Sequence, residues 1–475
     1  MRKGLRREAV HGVLWSAIER FSVQIIQLIV NIILARLLLP SDFGMVAMLT
    51  IFIQVSQLLI DGGFSNALIQ KNDRTEVDFS TVFYFNTFIS VLMYGALFIV
   101  APYVAEFYHM PDLILVMRVI ALNLVVSSFF AIPKVRLTIN LDFKSQLKVS
   151  LVAAIVSGSV GALLAYKGGG VWALVFQSLT NNLLLCISFF VFFRWTPLVV
   201  FSWSSFKNLF FFGSRLTLSS LMHSVYYNMY SIVIGRYFSA TDLGYYRNAE
   251  QFTVLPTAVI NSIISRVSYP VLSRIQDDNE LLTKAYREYV RLSSYLIFPL
   301  MFGFAALSEP IVDFLLTEKW KEVIPLFRIL CFCGMLEHLS VINLNLLFVK
   351  GRTDLSLRLE FVKKTIATII LFASIPFGLV GMCWGRVIYY VIASYINTYY
   401  TEKLIGLSFS KQLIDIIPYW FLSLFMALCV YGILYFFVES YVQIIMGIVS
   451  CVFIYAIMSY LFVNQTLREL FLLFK

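Results

Sequence analysis

The sequence predicts an all-α integral membrane protein: about fourteen transmembrane helices, forming two parallel-repeat six-helix lobes plus two C-terminal helices. Three observations predict it. Hydrophobic residues make up 60% of the chain and charged ones only 13%, with a mean hydropathy of +0.82, far from the soluble-domain norm. Apolar runs of span length recur from end to end. One passage also occurs twice, VNIILARLLLPSDFGMVA at 30–47 returning as YSIVIGRYFSATDLGYYR at 230–247.

A helix needs about 20 mostly apolar residues to cross the hydrocarbon core. Segments near 12–35, 43–61, 80–102, 113–132, 149–166, 171–193, 213–235, 249–269, 290–314, 324–348, 361–378, 382–400, 414–438 and 443–463 qualify. They are apolar on most faces, without the ten-residue alternation of a membrane β-barrel. The first follows Arg2, Lys3, Arg6 and Arg7, as a signal peptide would. Glu19 and Arg20 interrupt its apolar run and no small-residue cleavage site follows, so a retained first span is expected.

The first and second spans meet in the duplicated passage. Arg36, Asp42 and Gly44 recur as Arg236, Asp242 and Gly244 at an offset of 200. Farther along the offset drifts to about 210, where Arg118 in ILVMRVI answers Arg328 in IPLFRIL. The lobes are therefore residues 1–200 and 201–405, and 406–475 holds the extra helix pair. An arginine ending a helix favours its C-terminal dipole, and an aspartate opening the next is a good N-cap. The motif thus reads as a helical hairpin. An anion contact through the arginine fork stays open, for Arg118 and Arg328 as well.

Lysine and arginine set the orientation. With the N-terminus cytoplasmic, the inside segments 1–11, 62–79, 133–148, 194–215, 266–291, 349–364, 401–413 and 464–475 hold 27 of the 37 basic residues, and outside loops hold six. That bias follows the positive-inside rule and puts the C-terminus in the cytoplasm too. It also explains the net charge of +10 through anionic lipid headgroups rather than nucleic acid. Six spans per lobe make the repeat parallel. The longer inside connections, 133–148, 194–215 and 266–291, are expected as helices on the membrane surface.

Polar residues inside the spans carry the functional signal. Arg20, Gln24, Gln27 and Asn31 are spaced 4, 3 and 4, one face of the first helix. Adding 200 gives Ser220, Ser224, Tyr227 and Ser231. In the second span Gln57 and Asp61 match Thr257 and Asn261. Matching stripes on repeat-related helices predict a shared hydrated cavity for substrate. Interhelical hydrogen bonding is the plainer use of the same residue types. Arg20 favours the cavity, because a cation within a span seeks water or a partner, although its depth also allows snorkelling. Glu337 and His338 stand where the first lobe has Ser127 and Ser128, and a buried Glu or His can carry a coupling ion. A neutral pair bonded between helices is the alternative.

Other chemistries find no footing. There is no GxxxxGK[ST] loop, and the four histidines lack metal-ligand spacing. The six cysteines fall inside spans and read as packing residues. Catalytic residues, metal and cofactors are expected to be none, and the protein is not expected to be an enzyme.

Four stretches, LARLLLPSDFGMVAM (34–48), DGGFSNALIQ (61–70), GGGVWALV (168–175) and RVSYPVLSRIQDD (266–278), in this order and spacing, resemble one family. It is the bacterial polysaccharide exporter, or O-antigen flippase, family of the multidrug/oligosaccharidyl-lipid/polysaccharide superfamily. The branch is that of the lipopolysaccharide, colanic acid and teichuronic acid exporters. The resemblance covers essentially the whole chain. It implies two lobes around a V-shaped cavity and a flippase of the bacterial cytoplasmic membrane that moves undecaprenyl-diphosphate-linked oligosaccharide by alternating access. Implied partners are that glycolipid, membrane lipids, and a polysaccharide polymerase and glycosyltransferases. A cation-coupled drug exporter of the same superfamily is one alternative. A membrane-embedded polysaccharide polymerase or ligase is another, but it should carry a sizeable outside loop with catalytic residues.

Overall fold

The structure, a computed structural model, describes residues 2–463, which among them hold helices and no strand. The chain divides into two compact units, Met1–Gly244 and Tyr245–Lys475. In the first lie α1 (Arg2–Leu37), α2 (Pro40–Asp61), α3 (Phe64–Gln70), α4 (Glu76–Phe107), α5 (Leu113–Ile120), α6 (Leu122–Ile139), α7 (Phe143–Tyr166), α8 (Val171–Phe193), α9 (Trp203–Tyr227) and α10 (Met229–Tyr237). The unit boundary falls within α11 (Ala240–Arg274). The second unit continues with α12 (Asn279–Ala306), α13 (Ser308–Leu315), α14 (Val323–Val349), α15 (Thr353–Ser374), α16 (Gly378–Ile405), α17 (Phe409–Leu434) and α18 (Ser440–Phe462).

Among the described residues, eleven helical stretches are long and apolar enough to cross a membrane. One of them, the 52-residue stretch from Asp354 to Ile405, contains two helices, α15 and α16, broken at Ile375–Gly378. The stretches 133–148, 194–215 and 266–291 are not separate surface helices. They are the ends of the span-length helices α6, α7, α9, α11 and α12 and the turns joining them.

Short-range chemistry fixes the helix ends. Thr75 caps α4, with the Asp78 carboxylate accepting from the Thr75 N–H at 2.8 Å in return. Asp278 opens α12 by accepting from the Glu280 and Leu281 N–H groups, each at 3.0 Å. In the duplicated motif the aspartates sit three residues inside their helices rather than at the N-cap. Asp42 accepts from the Leu39 N–H at 2.9 Å. Asp242 accepts from the Ser239 N–H at 3.1 Å and hydroxyl at 2.6 Å. The free N–H groups are satisfied either way.

The motif glycines do something the hairpin reading did not include. A Cβ on Gly44 would strike the carbonyl of Ala240, and a Cβ on Gly244 would strike the carbonyl of Pro40. The starts of α2 and α11 therefore cross backbone to backbone, reciprocally.

Packing explains why α9 joins the first unit although the sequence repeat begins a new half near 200. Leu209 of α9 enters an apolar cluster with Phe64, Phe79, Phe83, Ile132 and Val135. Gly213 lies so close to Gly62 and Gly63 that a Cβ there would meet the Gly62 carbonyl. The link before α9 is tied to α4, the Leu198 N–H donating to Ser80 Oγ at 2.9 Å and the Ser202 N–H to Thr81 Oγ1 at 3.1 Å. In the second unit a buried polar knot joins three helices: Thr401 donates to Asn343 Oδ1 at 2.6 Å and Asn343 Nδ2 to Gln412 Oε1 at 3.3 Å.

Candidate substrate cavity and intramembrane charge cluster

A cavity of about 640 Å³ lies inside the first unit, walled by α2, α6 and α8, a size within the usual range for ligand sites. Each helix offers one polar stripe at helical spacing: Gln54, Gln57 and Asp61; Asn123, Ser127, Lys134 and Thr138; Ser178 and Asn182. The polar groups pair across the wall. Asn182 Nδ2 donates to Asn123 Oδ1 at 2.7 Å, Asn123 Nδ2 to Ser178 Oγ at 3.1 Å, and Ser127 Oγ to Gln57 Oε1 at 3.1 Å. Asp61 accepts from Ser65. Lys134 is exposed, and its ammonium makes no bond to any described residue. The polar stripes, set in an otherwise apolar wall, are mostly neutral amides and hydroxyls, which both donate and accept, with Asp61 and the available cation Lys134 as the charges. Such a surface suits sugar hydroxyls and an anion.

The second unit fills the corresponding space differently. Gly170 and Gly378, both with positive φ, stand at the starts of α8 and α16. This 208-residue offset places Arg386 at the Ser178 position and Tyr390 at the Asn182 position. Arg386 donates to the carboxylate of Glu250 and to the Tyr246 hydroxyl. Arg247 reaches the same carboxylate at 2.8 Å. Glu250 is 5% exposed. It lies ten residues into α11 and Arg386 eight into α16, so about 15 and 12 Å from the helix starts at 1.5 Å per residue. Those depths are about half of a hydrocarbon core about 30 Å thick. Arg386 and Glu250 are the charges that act on Glu337, which makes no hydrogen bond to a described residue. Where the first unit has an open cavity edged by polar stripes, the second has a charge-paired plug.

The family model described as "Polysaccharide biosynthesis protein" matches residues 33–325. The chain belongs to this family. It is 24% identical to a teichuronic acid biosynthesis protein of Bacillus subtilis (strain 168), over 90% of this chain and 89% of that one. It is also 24% identical to a lipopolysaccharide biosynthesis protein of Escherichia coli (strain K12), over 88% and 86%. The resemblance read from the four stretches is borne out. Among solved structures, a lipid II flippase in its inward closed conformation matches with a TM-score of 0.74 at 14% identity, covering 96% of this chain and 100% of that one. An inward-facing multidrug transporter matches at 0.62 and 14%, covering 82% and 98%. Both show that the fold is shared.

In this member of the polysaccharide biosynthesis family the expected site residues are spread over five helices. Gln57 and Asp61 line the first-unit cavity. Arg20, Gln24, Gln27 and Asn31 lie on α1 outside that lining, with Arg20 and Gln27 exposed. Arg20 has no hydrogen-bond or ion-pair partner among the described residues. Ser220, Ser224 and Tyr227 lie on α9, where Ser224 reaches Gln54 at 3.4 Å; the neighbouring Asn228 is buried and donates to the same Gln54 oxygen at 2.8 Å. Asn261 is half-buried on α11, while Thr257 bonds back to its own helix. His338 is fully buried and shares a 2.9 Å hydrogen bond with Ser294. Its repeat counterpart Ser128 does the same with Ser90 at 3.1 Å. Arg118 and Arg328 are held structurally, Arg118 over the Phe98 ring at 4.0 Å and Arg328 on Ser308 and Glu309.

Sequence reasoning missed Asn123, Lys134, Ser178, Asn182 and Glu250 as candidate residues. The spacing of 4, 7 and 4 from Asn123 to Thr138 was the available signal for α6.

Proposed function

We propose that this protein is a flippase that moves undecaprenyl-diphosphate-linked oligosaccharide across the bacterial cytoplasmic membrane by alternating access, forming no covalent bonds. The observation that carries the reading is the first-unit cavity. Its neutral amides and hydroxyls match a sugar headgroup, and the free Lys134 matches a phosphate. An apolar groove of about 580 Å³ in the second unit, lined by Leu296, Leu300, Gly303, Ile311 and Val452, supports a substrate with a hydrocarbon tail. In this proposal fourteen spans, in lobes 1–200 and 201–405 plus the pair in 406–475, keep both termini cytoplasmic. The α1 stripe from Arg20 to Asn31 and its α9 counterparts face the path. Glu337 is the proposed proton carrier. His338, tied to Ser294, holds α14 against α12. Glycosyltransferases act before the transfer and a polymerase after it.

Purified protein in vesicles should expose a labelled polyprenyl-diphosphate sugar to an enzyme added outside. Deleting the gene should leave lipid-linked repeat units in the inner leaflet and remove the surface polymer. New glycosidic bonds in the vesicles, or uptake of cationic dyes without glycolipid movement, would overturn the proposal.

A further inference from the structure

A separate pocket of about 530 Å³ opens where the first turns of α12 meet the end of α16 and the start of α17. Along α16, Ile405 in this pocket is nineteen residues, about 28 Å, from Arg386. Two arginines organise the pocket. Arg287 donates to buried Asp415 through Nε and Nη2 at 2.7 and 2.8 Å, and Arg291 through Nε and Nη2 at 3.0 and 2.7 Å. Each guanidinium thus spends one edge on Asp415, and each Nη1 is left without a partner among the described residues. Lys284 and Lys411 stand beside them. Against Asp415, Glu280 and Glu288, these four cations leave a surplus of one positive charge, the complement of a phosphodiester.

Depth agrees with this chemistry. α12 has 28 residues, so it is about 42 Å long, some 12 Å more than the hydrocarbon thickness. Its apolar residues concentrate after Arg291, so the excess emerges at the N-terminal end. The pocket therefore sits at headgroup level, on the side where basic residues accumulate. Basic pockets between membrane helices at that level hold anionic headgroups, and arginine forks match phosphate oxygens.

We infer that this pocket binds the phosphate of an anionic phospholipid headgroup, through the free edges of Arg287 and Arg291 with Lys284 and Lys411 closing around it. The site is independent of the transport cavity. It is tested on full-length protein in neutral detergent at fixed ionic strength, by native mass spectrometry and thermal melting. The probes are dioctanoyl phosphatidylglycerol, dioctanoyl phosphatidylcholine and inorganic phosphate. The phosphatidylglycerol should be retained one to one and raise the melting temperature, while the other two should not. K284Q/K411Q, which leaves the Asp415 pairing intact, should weaken retention at least tenfold. R287K, which keeps a charge on Asp415 but loses the fork, should weaken it too. Equal retention of phosphatidylcholine, undiminished binding by both variants, or equal stabilisation by inorganic phosphate would each overturn the assignment.

Discussion

Removing one member of the Glu250–Arg386 pair should damage the protein far more than removing both. In E250Q the Arg386 guanidinium stays within its helix bundle without its closest carboxylate, left with tyrosine hydroxyls and the more distant Glu337 carboxyl, and its 14% side-chain exposure gives it little water. Breaking a buried pair from one side costs about 3–5 kcal/mol. In R386Q the Glu250 carboxylate keeps Arg247 at 2.8 Å, so the loss should fall at the low end of that range. In E250Q/R386Q neither buried charge remains, and Arg247, a quarter exposed, can turn toward water. The double variant should recover to within about 1–2 kcal/mol of the wild type, since exchange of a buried pair for neutral groups is often nearly neutral. For a unit of this size each kcal/mol moves the melting point by roughly 2–4 °C. The worst single variant should therefore melt about 10 °C low, and the double variant should regain most of it. Melting of detergent-purified protein, followed by size exclusion of a fluorescent fusion, measures this. Strictly additive losses, or single variants as stable as wild type, would refute the picture of a mutually neutralising plug.

The reciprocal glycines predict that Gly44→Val or Gly244→Val costs more than 3 kcal/mol, because backbone carbonyls cannot yield. Gly95→Ala, which meets nothing within 4 Å, should be silent on expression and monodispersity. Asn182→Ala should cost about 1 kcal/mol of cavity organisation and reduce vesicle transport several-fold, and Lys134→Ala should reduce it more; unchanged rates in both would remove the cavity from the path. Arg20→Ala should abolish export with the protein still in the membrane, and Arg20→Lys should restore part of it; full export by the alanine variant would reassign Arg20 to snorkelling. Cysteine tags at 133–148 and 266–291 should label from the cytoplasm and tags at 168–170 from outside, and a reversed pattern would sink the topology.

Hydropathy and the duplicated passage made the fold class legible because both are properties of contiguous sequence. The cavity was only half legible. Gln57 and Asp61 stood out as polar residues in an apolar run, but Asn123, Ser178 and Asn182 lie on helices distant in sequence, and only packing brings three stripes to one space. Glu250 was hidden for a different reason. It stands second in the expected span 249–269, at the outer edge, whereas α11 starts at Ala240 and carries it ten residues down the helix. The aspartates of the motif were placed one turn early because Leu39, at the N-cap of α2, has no capping side chain to announce itself.

The crossing of Gly44 with Ala240 and of Gly244 with Pro40 has a symmetry reading. Ala240 is the counterpart of Pro40 in the second copy of the motif, so one position touches another and the favour is returned with the copies exchanged. That is the signature of an isologous interface. It is the contact that two identical chains make when they pair about a two-fold axis. Around it the two copies differ in sequence. One glycine is needed twice, while the interior of one half holds an open chamber and that of the other an ionic lock.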